Sequence, residues 1–67
     1  MTYDVIQKVN GNTVIVSSWV NNLVGAKQAF HKRCELLYAD AEVTSGVVAI
    51  LDDNLDVVEG MKEYIRK

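Results

Sequence analysis

Sixty-seven residues with 49% apolar and 24% charged side chains make one small domain, residues 1–67, and exclude a disordered tail. A chain this short buries only about 60% of the surface its unfolded form exposes, too little for a large enzyme core or a roomy cofactor domain. Seven Lys+Arg against nine Asp+Glu give a net charge of −2, so nucleic-acid binding would need the few cations gathered on one face.

There is one cysteine, Cys34, and no disulfide can close within the chain. Small secreted domains usually depend on several, so a reducing, cytoplasmic setting is expected. Asp4, Gln7, Lys8, Asn10 and Asn12 interrupt every apolar run near the N-terminus, which argues against a secretory signal. The longest apolar run, Val47–Leu51, is far short of the roughly 20 residues of a membrane span. No membrane contact is expected.

The first segment runs from Thr2 to Val20. Asn10-Gly11 lies between two β-branched runs, and both residues tolerate positive φ, so the spacing predicts a hairpin with a two-residue turn. Such a turn sets Val5 opposite Val16 and Gln7 opposite Val14. It gathers Tyr3, Val5, Val9, Val14, Val16 and Val20 on one face. The other face then carries Asp4, Ile6, Lys8, Thr13, Ile15, Ser17 and Trp19.

The second segment runs from Asn21 to about Ala39. Asn21 or Asn22 suits a helix N-cap, because its side chain can accept from an orphan amide of the first turn. Leu23, Ala26, Phe30, Cys34, Leu37 and Ala41 form the apolar stripe of an amphipathic helix. Lys27, Gln28, His31, Lys32 and Glu35 fall opposite. Gly25 in the first turn weakens the helix only slightly.

The third segment begins near Val43. Val47–Leu51 is β-branched and bounded by Ser45-Gly46 and Asp52-Asp53-Asn54, so it reads as a strand. Leu55–Glu59 can return antiparallel through a turn at Asp53-Asn54. From Gly60 to Lys67, Val58, Met61 and Ile65 also fit a helical face ending in Arg66 and Lys67, whose charge suits a helix C-terminus. Gly60 would interrupt so short a helix, which favours a second hairpin. The expected fold is α+β in the order ββαββ, a four-stranded antiparallel sheet with one helix packed on one face; the alternative is ββαβα.

Phe30, His31 and Cys34 in the helix, followed by Leu51–Gly60 with its Leu-Asp-x-Asn-Leu-x-Val-Val-Glu-Gly pattern, resemble small uncharacterised ββαββ proteins of gut bacteria and their phages. The resemblance covers roughly the C-terminal half. It implies a bacterial setting and brings no activity with it.

Several groupings suggest chemistry. His31, Cys34 and Glu35 are helical neighbours and resemble a nucleophile with its base and orienting carboxylate. However, Cys34 continues the apolar stripe, which makes it a core thiol with a raised pKa. One Cys and one His cannot supply the four ligands of a structural zinc. Asp52, Asn54, Asp56 and Glu63 match positions one, three, five and twelve of an EF-hand loop. Val57 stands where that loop requires glycine, and Glu59 where an apolar residue belongs. A polar turn explains the cluster, because Asp and Asn bond to their own backbone there. No catalytic residue, metal or cofactor is expected.

Lys27, Lys32 and Arg33 form the one cationic cluster of the helix. RNA-reading sheets display aromatic side chains for stacking, and the open face here would offer Trp19 alone.

That open face is the more informative feature. One helix of about 18 residues spans about 27 Å and covers only one side of a four-stranded sheet. Ile6, Ile15 and Trp19 are expected on the uncovered side. Either Val47, Ala49, Leu51 and Val58, or Val48, Ile50, Val57 and Met61, would join them. A contiguous apolar patch of several hundred Å² tends to mark an interaction surface, and interface hot spots are enriched in tryptophan. The expected function is a small non-enzymatic intracellular interaction module that uses Ile6, Ile15 and Trp19, as a homodimer or with another protein. The alternative is a nucleic-acid-associated protein using Lys27, Lys32 and Arg33.

Overall fold

The computed structural model describes residues 1–66. Asn10 (φ 50°) and Gly11 (φ 88°) form the expected turn, joining β1 (Thr2–Val9) to β2 (Asn12–Val20). Asn10 also ties this turn to the loop before the third strand. Its Oδ1 accepts from the Thr44 amide at 2.9 Å, the Thr44 hydroxyl at 2.8 Å and the Ser45 amide at 3.1 Å. Its Nδ2 donates to the Glu42 carbonyl at 3.3 Å.

Register follows expectation only near the turn. Gln7 faces Val14 and Ile6 faces Ile15, but Val5 then faces Ser17. Val16 is the extra residue of a β-bulge, so the expected Val5–Val16 pair does not form. One inserted residue reverses the parity of everything beyond it. Ser17 and Trp19 therefore share a face with Val5 and Tyr3, while Val20 turns to the other side with Thr2.

Helix α1 (Leu23–Ala39) starts at Asn22, whose Oδ1 accepts from the Gly25 amide at 2.9 Å. Ala26, Phe30, Cys34 and Leu37 are buried along its stripe, and Leu23 is half-buried. Ala41 lies beyond the helix and is exposed.

Strands β3 (Gly46–Leu51) and β4 (Val57–Ile65) form the second hairpin, and the sheet is antiparallel throughout in the order β2-β1-β3-β4. The chain is thus ββαββ, and the terminal-helix alternative does not form. The connecting turn is longer than a turn centred on Asp53-Asn54. The Asp52 carboxylate accepts from the amides of Asn54 and Asp56 at 2.9 and 3.0 Å, and Leu55 takes a positive φ of 63°. Gly60 (φ 74°) lies where the β3–β4 register shifts, so β4 passes it by bulging and continues as strand.

The core lies between α1 and one face of the sheet. It contains Val5, Val48, Ile50 and Ile65 from the strands, Phe30, Cys34 and Leu37 from the helix, and Val43 from the loop. Arg66 closes the far end. Its guanidinium donates to the carbonyls of Tyr38 at 2.7 Å and Val43 at 3.1 Å, and to that of Asp40. Its charge does serve a helix C-terminus, but that of α1, reached from the end of a strand. Lys67 lies outside the described residues.

Candidate functional site

The side of the sheet away from α1 is built by alternation. Ile6 on β1 lies between Ile15 on β2 and Ala49 on β3. Lys8 lies level with Thr13, Val47 and Tyr64, and Lys62 lies beside Ala49. All of these but Ile15 line, with Val57, a shallow groove of about 300 Å³. Ile15 is 63%, Tyr64 44% and Val57 42% exposed. The Lys62 ammonium stands 5.1 Å from the Tyr64 ring centroid, a cation–π contact that holds the lysine beside the apolar surface.

Ile6 and Ile15 lie on this face; Trp19 does not. The bulge at Val16 turns the indole to the helix side, where it packs against the core. Its Nε1 donates to the Ser17 Oγ at 2.8 Å. Neither expected set from the second hairpin is present whole. Val47, Ala49 and Leu51 face outward, but Val57 accompanies them, and Val58 and Met61 pack on the core. The longer Asp52–Asp56 turn sets Val57 opposite Leu51, and the bulge around Gly60 then turns Met61 inward.

The open face is graded in charge along the strands. Lys8 and Lys62 belong to its upper half, toward the Asn10-Gly11 turn. Asp4 lies at the lower end, level with Leu51 and Val57, and the Asp52–Asp56 turn follows directly. The Asp53 carboxylate accepts from the Thr2 amide there, at 2.8 Å. The positions of Lys8, Lys62 and Tyr64 follow from strand alternation once the registers are known. The sequence alone assigns Lys8 to this face beside Ile6 and leaves Lys62 and Tyr64 unplaced.

The helix cations do not form one outward cluster. Lys27 and Lys32 are exposed, but Arg33 is half-buried and turned to the sheet, with its Nε donating to the Gln7 Oε1 at 2.5 Å. Arg33 thus has a partner within the fold and is not displayed beside the lysines. The grouping of His31, Cys34 and Glu35 is also divided. Cys34 is buried, and its thiol pKa is pushed up, first by burial and then by the charge of Glu63. His31 is exposed, with its ring edge-on to Phe30 at 5.3 Å between centroids. The Asp52 carboxylate, the first position of the EF-hand-like run, is engaged by amides of its own turn. Among the described residues, no group of three His, Cys, Asp or Glu is placed to hold a metal ion, and no helix is long and apolar enough to cross a membrane.

Compared with protein families, curated proteins and solved structures, the chain matches none.

Proposed function

We propose that this chain is a small non-catalytic module that works by association through the open face of its sheet, inside the cell where the lone Cys34 stays reduced. The observation that carries the reading is the one-sided cover. Helix α1 packs on one side of the sheet, while Ile15, Val57 and Tyr64 stand exposed around Ile6, Val47 and Ala49 on the other. Apolar surface left in water in a continuous patch gains free energy when a partner covers it. Trp19 has no part in this surface; the anchors are Ile6, Ile15, Val47 and Val57.

Photo-crosslinking in the expressing cell tests the reading. A benzophenone side chain at Val57 reports on the open face, and one at Gln28 on the exposed side of α1. Discrete adducts are expected from Val57 and not from Gln28. Equal labelling from both positions, or labelling from Gln28 alone, refutes the open face as the working surface.

A further inference from the structure

The gradient of charge on the open face says what fits it. Lys8 and Lys62 stand on the upper half, and Asp4 with the Asp52–Asp56 turn forms the lower end. Asp4 and Lys8 are four residues apart on one strand, which is about 13 Å. A partner for this surface needs an apolar centre, acid over the lysines and base over the aspartates. A second copy of the same face, turned end for end, has that arrangement.

We propose that the open faces of two copies pack against each other about a two-fold axis lying between the sheets and across the strands. This rests on the open-face reading above and names its partner. The rotation reverses strand direction, so the lysine end of each copy lies over the aspartate end of the other. A residue contacting its opposite in one direction does so in the other, as an isologous interface requires. The alternative two-fold, with its axis along the strands, places lysines over lysines and is opposed by the same charges.

The outer edge of β2 is the rival contact. It carries no charged residue from Asn12 to Val20, and an unpaired edge can accept another strand. The bulge at Val16 breaks that edge into two short pieces, and bulges are a device by which edges are kept from pairing. The face offers the apolar centre and the opposed charges together and is favoured.

The footprint sets the expected strength. Four strands spaced about 4.8 Å apart, each about seven residues long, give a flat area on the order of 400 Å² per copy. That is below the roughly 800 Å² per partner of a standard interface, so the expected dimer is a weak one.

Sedimentation equilibrium on the full chain, from micromolar to millimolar, is the test. A monomer–dimer equilibrium that weakens at high salt is expected. The pair Lys8→Glu with Lys62→Glu, and separately Asp4→Lys with Asp56→Lys, should each weaken self-association at least tenfold. An equimolar mixture of the two variants should restore a dimer, an outcome that requires lysine and aspartate ends to meet across copies. Circular dichroism establishes that each variant folds, and the salt dependence of the unaltered chain gives a readout independent of them. A dimer indifferent to salt and to both reversals, but lost in Ser18→Pro, assigns the contact to the β2 edge and overturns the proposal. A chain that stays monomeric while Val57 crosslinks to another protein overturns self-pairing and leaves the docking face standing. A monomeric chain with no adducts from Val57 removes both.

Discussion

Trp19 packs over Gly25: a Cβ built on that glycine would stand 2.6 Å from the indole Cε3 and 2.5 Å from the Asn22 Nδ2. The absent side chain makes room for the largest aromatic ring in the protein. The local helix penalty of glycine is thereby exchanged for close packing of β2 on the first turn of α1.

Gly25→Ala is therefore expected to destabilise the fold, although alanine favours helix by about 1 kcal/mol over glycine. Overpacking at such a site typically costs about 1–3 kcal/mol, which outweighs the propensity gain. Urea denaturation followed by far-ultraviolet circular dichroism measures it. In a Trp19→Leu background the same substitution should cost less, the remaining loss coming from the Asn22 side chain. An equal loss in both backgrounds would exclude the indole as the obstacle.

Asn10 combines a left-handed backbone with four side-chain hydrogen bonds to the Glu42–Ser45 loop. Asn10→Ala should cost about 2 kcal/mol, roughly half from forcing alanine into the left-handed region and half from the lost bonds. Asn10→Gly relieves the first part and should cost about 1 kcal/mol. Equal losses for the two variants would mean that backbone strain contributes nothing.

Arg66 joins the end of β4 to the end of α1 by bonding three carbonyls with one guanidinium. Arg66→Ala should cost about 1–2 kcal/mol, since the bonds are charge-assisted but mostly exposed. Arg66→Lys should recover little, because an ammonium lacks the planar fork that reaches several acceptors at once. Amide hydrogen exchange gives the spatial readout: protection should fall in the last turn of α1 more than in β1.

The Tyr38 hydroxyl donates to the Glu63 Oε1, and this bond, ahead of slight desolvation and the charge of Glu63, raises its pKa. A raised folded pKa means that the folded protein holds the proton more tightly than the unfolded chain. The stabilisation is complete below the ordinary tyrosine value of about 10 and is lost as pH rises through the higher folded value. The Cys34 thiol, also raised, adds a loss of the same sign that begins at lower pH. Denaturation midpoints measured from neutral to strongly alkaline pH should fall less steeply in Tyr38→Phe than in the unaltered protein, the difference opening above about pH 10. Parallel curves would show that the tyrosine bond carries no pH dependence.

Much of the architecture is written locally. Asn10-Gly11 sets the first hairpin, because two adjacent residues that accept positive φ turn the chain with the twist of the strands. Asn22 and the stripe from Ala26 to Leu37 set the helix, because period and cap are readable without knowing what they pack against. The order ββαββ follows. Ile6 and Ile15 could be assigned to the open face because they lie between the turn and the bulge, where the register is fixed by the turn alone.

Beyond the bulge only tertiary structure decides. A strand repeats every two residues, so a single extra residue exchanges its faces while leaving the hydrophobic pattern almost unchanged. Val16 is such a residue, and it carries Trp19 from the expected open face to the helix. The longer Asp52–Asp56 turn exchanges Val57 with Val58, and the shift around Gly60 turns Met61 inward. Arg66 was legible as a cation suited to a helix end, but which helix it meets depends on β4 running back along β3 to the C-terminus of α1. Local chemistry sets the elements, while packing between elements distant in sequence chooses the faces they show to water.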